Sequence, residues 1–217
     1  MVAVAGLAVG LILALGGDGA TPGPVAVSSG ASPTVSPTPT IPISPVPPAP
    51  PTPSFEFRLL KFAPVRGSTR TRVNVIRTVT RRAVHNIRDE LGRMYRLAFL
   101  DPAGWQQARY APVFRFFAGD ARTSARGHVR LLTLGPDAGR RFERVTVPGG
   151  SLKVKVLLDR GGHPVTAVAN ASFHARATQL EGGMVLVRSE ASYFLRPSKR
   201  GWLIFGFEVR RKDHPVR

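Results

Sequence analysis

Residues 165–178 read VTAVANASFHARAT and residues 184–196 read MVLVRSEASYFLR, two alternating runs separated by Glu181-Gly182-Gly183. Alternation marks a half-buried strand, because successive side chains leave a pleated chain on opposite faces. Val165, Ala167, Ala169, Ala171, Phe173, Ala175 and Ala177 share one face of the first run, and Val185, Val187, Ser189, Ala191, Tyr193 and Leu195 share one face of the second. Further runs at 142–147, 152–159 and 202–211 are set off by Pro148-Gly149-Gly150, Arg160-Gly161-Gly162 and residues 198–201. Strands joined by loops this short pair antiparallel. Continued through the last run, the alternation puts Leu203, Phe205, Phe207 and Val209 on the core face and Trp202 and Ile204 on the other.

Before these strands the period changes. Ile76, Val79, Ala83, Ile87, Leu91, Met94 and Ala98 recur every three or four residues, which places them on one face of a long helix. Ser68 suits its N-cap, and Asp101-Pro102 ends it and opens the next element, since Asp caps well and Pro fits a first helical position. Trp105, Tyr110, Val113, Phe114, Phe116 and Phe117, broken by Pro112, read as two short helical pieces. Another helix is expected over 120–134, stopped by Gly135-Pro136. Residues 55–65 (FEFRLLKFAPV) form a first strand or a flap. Helices followed by a run of hairpins predict an α+β domain over residues 54–217, with a long N-terminal helix and short helices packed on one face of a curved antiparallel sheet.

The first 53 residues differ in kind. Residues 2–15 (VAVAGLAVGLILAL) carry no charge, and Asp18 is the one charged residue before position 54. Such a run is a little short for a spanning helix of roughly 20 residues and within the length of a signal-peptide core of about 7 to 15, so it fits either role. Residues 1–20 therefore read as an uncleaved membrane anchor, with a cleaved signal and a secreted domain as the alternative. No Lys or Arg precedes the run to orient it, and a start upstream of this sequence is one explanation. Residues 21–53 hold twelve prolines among Ser, Thr, Ala and Val. Each proline removes a backbone donor, so the stretch cannot build a core and is expected to be a disordered, extended linker.

The chain has 31 Lys and Arg against 13 Asp and Glu, a formal charge of +18, all of the excess lying after the linker. A field of that sign favours an anionic polymer or lipid as partner. The competing reading is compositional, because a GC-rich genome encodes Arg, Ala, Gly and Pro by default. Cysteine is absent, which excludes disulfides, thiolate metal sites and a cysteine nucleophile.

The long helix ending in Met94-Tyr95-Arg96-Leu97-Ala98-Phe99-Leu100-Asp101, the short aromatic helices and the closing strand Gly201-Trp202-Leu203-Ile204-Phe205-Gly206-Phe207 resemble the nuclear-transport-factor-2-like, or SnoaL-like, cone fold. With an anchor and a linker in front, the organisation is similar to actinobacterial Mce-associated membrane proteins and to envelope components of conjugation machines. The resemblance implies a pocket between the sheet and the long helix. It leaves function to the site, since this fold hosts enzymes and non-enzymes alike.

Three sets of site residues follow. Glu90, at the edge of the helical stripe, with Phe173, Ser189, Tyr193 and Phe205, would line the pocket. Met184, Leu186, Phe194, Trp202 and Ile204 would form an apolar outer face for self-association or an envelope partner, with Trp202 as its anchor. Arg77, Arg81, Arg88, Arg93 and Arg96, opposite the apolar stripe of the helix, would offer an anionic partner a basic face. His85 and Asp89 share that solvated side, and the five histidines stand at no ligand spacing, so no metal or cofactor is expected. The sequence holds no nucleophile elbow, phosphate-binding glycine loop or dinucleotide fingerprint. Nucleic acid is disfavoured, because the basic positions lack interleaved aromatics. The leading expectation is a non-catalytic module tethered to the membrane, with its domain on the extracytoplasmic side, serving an envelope assembly. The alternatives are a lipid or small-molecule binder and a SnoaL-like enzyme with Glu90 as its acid or base.

Overall fold

The structure, a computed structural model, describes residues 54–66 and 72–216. The expected anchor, the linker and the Ser68 cap lie outside the described residues. Strand β1 (Arg58–Arg66) is followed by helix α1 (Val73–Tyr95), a π-helical turn over Arg96–Leu100, α2 (Pro102–Trp105), a 3-10 turn over Val113–Phe116, α3 (Gly119–Gly127), α4 (Val129–Leu132) and α5 (Ala138–Arg141). Four long strands complete the chain: β2 (Phe142–Leu158), β3 (Pro164–Gln179), β4 (Met184–Ser198) and β5 (Gly201–Val216). They form one five-stranded sheet in the order β1-β2-β3-β4-β5, with β1 parallel to β2 and every other pair antiparallel. The fold is α+β, and residues 55–65 resolve into two buried phenylalanines, Phe55 and Phe57, and an edge strand.

The helical stripe is where its spacing put it. Ile76, Ala83, Ile87, Leu91, Met94 and Ala98 are buried and Val79 is half-buried. Burying each Ile, Leu or Met contributes about 1.5 to 3 kcal/mol, which offsets the ordering of a helix that contains several β-branched residues. The helix widens at its end, where Asp101 N–H donates to the Arg96 carbonyl five residues back at 2.9 Å. The Asp101 side chain then accepts from Ala103 N–H at 3.2 Å, with Pro102 in the first turn of α2.

Two expectations about the sheet are corrected. Pro148-Gly149-Gly150 is not a turn: residues 142–158 are one strand, with a register shift between Thr146 and Gly149. The reason lies above Gly150, where an added Cβ would stand 2.9 Å from the Phe55 ring and 3.1 Å from the Phe57 ring. The glycine leaves room for the rings, and the bulge bends the strand over them. The second correction is in β5. Leu195 pairs with Ile204 but Phe194 pairs with Gly206, so Phe205 is an extra residue that reverses the alternation. Trp202 and Ile204 consequently point into the core, at 6% and 1% exposure, while Phe205 is 46% exposed on the outer face. Beyond the bulge, Phe207 and Val209 pack against the core as alternation expects.

Arg211 fastens the short helices to β5. Its guanidinium makes a two-pronged pair with Asp213 at 2.7 and 2.8 Å and donates to the carbonyls of Arg130 (2.8 Å) and Thr133. Those carbonyls close α4 and lack helical partners. Arg211→Ala leaves them and Asp213 unpaired, and is expected to lower stability by about 2 to 3 kcal/mol. The midpoint of urea unfolding checks this; a change below about 0.5 kcal/mol contradicts the fastening role.

Candidate functional site

Phe173 on β3 and Ser189 and Tyr193 on β4 point inward, as the alternation requires. They do not line an open pocket. Phe173 packs against Phe55, Tyr95 and Phe99 with ring centroids 5.3, 5.0 and 4.8 Å away, and Phe57 meets Tyr95 edge-on at 4.9 Å. Phe173, Tyr193 and Ser189 are 0, 1 and 2% exposed. The two phenols in this layer satisfy each other: the Tyr95 and Tyr193 hydroxyls are 3.1 Å apart, and the buried Ser189 hydroxyl lies beside Tyr95. Burial pushes both phenols above their usual range; the hydrogen bond to Tyr193 pulls Tyr95 partly back, whereas Tyr95 adds to the rise at Tyr193. At neutral pH the pair is an uncharged pin through the core.

Glu90 does not join this layer. Its carboxylate is 2.5 Å from the Arg93 guanidinium and lies against the β4–β5 turn. Gly201 permits that approach: its φ of +116° favours glycine, and an added Cβ would stand 2.7 Å from the Glu90 carboxylate. Phe205, the fifth expected pocket residue, sits on the outer face with its ring 6.4 Å from that of Phe194.

The expected outer patch is also divided. Trp202 and Ile204 belong to the core, for the reason given by the bulge. Met184, Leu186 and Phe194 remain half-buried on the outer face. Leu186 and Phe194 are eight residues apart on β4, about 27 Å at strand rise, so they make two small apolar spots rather than one surface. Between the spots the outer face is polar, with Lys153, Asn170, Glu190, Glu208 and Arg210 around a shallow recess.

Of the five arginines expected on the basic face, two are ion-paired and a third is tied to a backbone carbonyl. Arg88 pairs with Asp89 at 3.3 Å and approaches Glu56 at 3.9 Å, Arg93 holds Glu90, and Arg96 donates to the Phe55 carbonyl at 2.6 Å. Of the five arginines, Arg77 and Arg81 alone have no such partner among the described residues; both border a recess beside the exposed Phe62 and Val73.

Cations converge elsewhere. A pocket of about 510 Å³ lies where β4 turns into β5, bordered by Glu90 and Arg93 of α1, Arg115 and Phe116 of the 3-10 turn, Arg122 of α3, and Lys199, Arg200, Trp202 and Leu203 of the hairpin. Glu90 is its one carboxylate, and Arg93 engages it. Arg115, Arg122, Lys199 and Arg200 have no ion-pair partner among the described residues; Arg122 donates through Nε to the Phe117 carbonyl at 2.9 Å, leaving its outer nitrogens to the pocket. Alternation and helical spacing could not reveal this group, because its members come from four elements up to about a hundred residues apart.

Among the described residues no three acidic, His or Cys side chains gather where they could hold a metal ion, and no helix is long and apolar enough to cross a membrane. No protein-family model, curated protein or solved structure matches the chain.

Proposed function

We propose that residues 54–217 form a non-catalytic interaction module of the cone-fold kind, tethered to a membrane by residues 1–20 through the 21–53 linker and working outside the cytoplasm in an envelope assembly. The observation that carries the non-catalytic part is the packing of the interior. In a cone fold the reactive groups face the space between the sheet and the long helix, and here Phe55, Phe57, Tyr95, Phe99 and Phe173 occupy that layer. Its polar groups are two neutral phenols and a serine, and the carboxylate expected there, Glu90, is turned onto Arg93. General acid-base chemistry needs an ionisable group near its pKa within reach of a substrate, which this layer lacks. The five-stranded sheet and the long helix are compatible with the cone fold, and the uncharged 2–15 run supports the tether.

Protease added to intact cells or spheroplasts is expected to remove the folded domain while cytoplasmic markers survive. Digestion only after lysis overturns the topology. Recovery of the whole chain in the medium replaces the tether by secretion.

A further inference from the structure

Trp202 borders a second recess besides the cationic pocket. Of about 320 Å³, it is lined by Val79, Ala83, Pro164, Pro197 and Trp202, with Arg82 and Asn86 on its rim. Val79, Ala83, Asn86 and Glu90 succeed one another at spacings of four, three and four, so the two recesses occupy consecutive turns along one side of α1. We propose that they form one site for an anionic amphiphile, in which a phosphate-class oxyanion is held by Arg115, Arg122, Lys199 and Arg200 and the hydrocarbon next to it runs past the edge of Trp202 onto Val79, Pro164 and Pro197.

Charge and shape support this. Single arginines without a carboxylate partner among the described residues occur elsewhere in the domain, Arg77 and Arg81 among them, but at this pocket four such cations border one space. The pocket's single carboxylate, Glu90, is taken by Arg93, so Arg115, Arg122, Lys199 and Arg200 border it as uncompensated charge that a bound oxyanion would neutralise. Guanidinium forks offer parallel donors that match phosphate oxygens, and a lysine adds a point charge. Phe116, Trp202 and Leu203 supply the apolar part of the pocket lining beside them. A dianionic phosphate monoester suits four cations better than a single carboxylate does. A solvated arginine surface would need neither the convergence of four elements nor the adjoining apolar recess.

The test uses the full chain in a neutral detergent, titrated calorimetrically with hexyl phosphate, inorganic phosphate and hexanol. Hexyl phosphate is expected to bind saturably and at least about tenfold more tightly than either fragment, as two adjoining contacts require. The pair Arg115→Glu with Arg200→Glu, both exposed positions, should weaken it by at least about tenfold, and Lys199→Glu alone should weaken it in the same direction. Arg77→Glu with Arg81→Glu makes the same change in net charge elsewhere on α1 and should stay within about twofold. Equal losses in the two double variants would reduce the effect to the overall field, and inorganic phosphate binding as well as hexyl phosphate would remove the apolar half of the site; either result overturns the proposal, as does absence of saturation. The titration does not depend on the tether, so it and the digestion experiment can fail separately.

Discussion

Raised above pH 10, the folded protein is expected to show no tyrosinate until it unfolds or the pH nears 12, where Tyr110 is the first to ionise, and Tyr95 and Tyr193 are expected to ionise only with unfolding. The chain has three tyrosines, and Tyr95, Tyr110 and Tyr193 are 1, 3 and 1% exposed. Tyr110 donates to the Gly135 carbonyl at 2.9 Å and is pushed up to about 12 by burial, with the Arg211 charge pulling weakly the other way. Tyr95 and Tyr193 are raised chiefly by burial, and ionising both would set two negative charges 3.1 Å apart. A phenol whose pKa is higher folded than unfolded binds its proton more firmly in the native state. Its contribution is fully present below pH 10, the unfolded value, and is lost as pH climbs through the folded value. While the native state keeps three protons that the unfolded state has released, stability falls by about 4 kcal/mol per pH unit. Against a total of about 5 to 15 kcal/mol, that places unfolding one to a few units above pH 10. Near-ultraviolet absorbance reads the phenolate and circular dichroism reads the fold in one titration. A tyrosinate signal that develops near pH 10 with the fold intact contradicts the buried arrangement.

How much of this was legible depends on whether a signal was local. The alternation of β3 and β4 placed the side chains of 167–177 and 185–195 correctly, because no bulge interrupts those stretches and one face is wholly buried. The long helix was equally legible from 76 to 98, and Asp101-Pro102 marked its end for a local steric reason. In β5 a single extra residue at Phe205 reversed the faces of Trp202 and Ile204. Gly206, a glycine inside a strand pattern, was the one available hint. Pro148-Gly149-Gly150 has turn chemistry, and what makes it a bulge is the Phe55 ring above Gly150, some 95 residues away in the chain. Helix α5 is four residues long and has no period to read. The arginines of α1 looked free because Glu56 and the Phe55 carbonyl, which engage Arg88 and Arg96, precede them by 30 to 40 residues. The cationic pocket is the same difficulty at larger scale, since it exists only once Arg115, Arg122 and the 199–200 turn are brought beside the end of α1.

The bulge in β5 makes a prediction in which neighbouring residues behave in opposite ways. Ile204→Asp is expected to abolish cooperative folding of the domain, whereas Phe205→Asp, one residue on, is expected to change stability by less than about 1 kcal/mol. Ile204 is 1% exposed, and its carbonyl accepts from Ala118 N–H at 2.8 Å, so its backbone is pinned and the side chain cannot turn outward. The substitution forfeits about 2 to 3 kcal/mol of apolar burial and places an unpaired carboxylate among hydrocarbon, a further cost of several kcal/mol. Together these approach the whole stability of a domain of this size. Phe205 is 46% exposed and its outer-face neighbour is Phe194, so aspartate there meets water. Regular alternation through 202–211 requires the reverse order, with Phe205→Asp unfolding the domain and Ile204→Asp tolerated, and thermal unfolding of the two variants decides between them. The same geometry governs how a partner surface on the sheet should be sought. Trp202→Ala would remove a core side chain at about 3 to 5 kcal/mol, so a lost complex in that variant reports unfolding rather than contact. Charge placed at Phe205 leaves the core intact, and a partner that docks on the outer face near Phe194 must release that variant while its melting temperature holds.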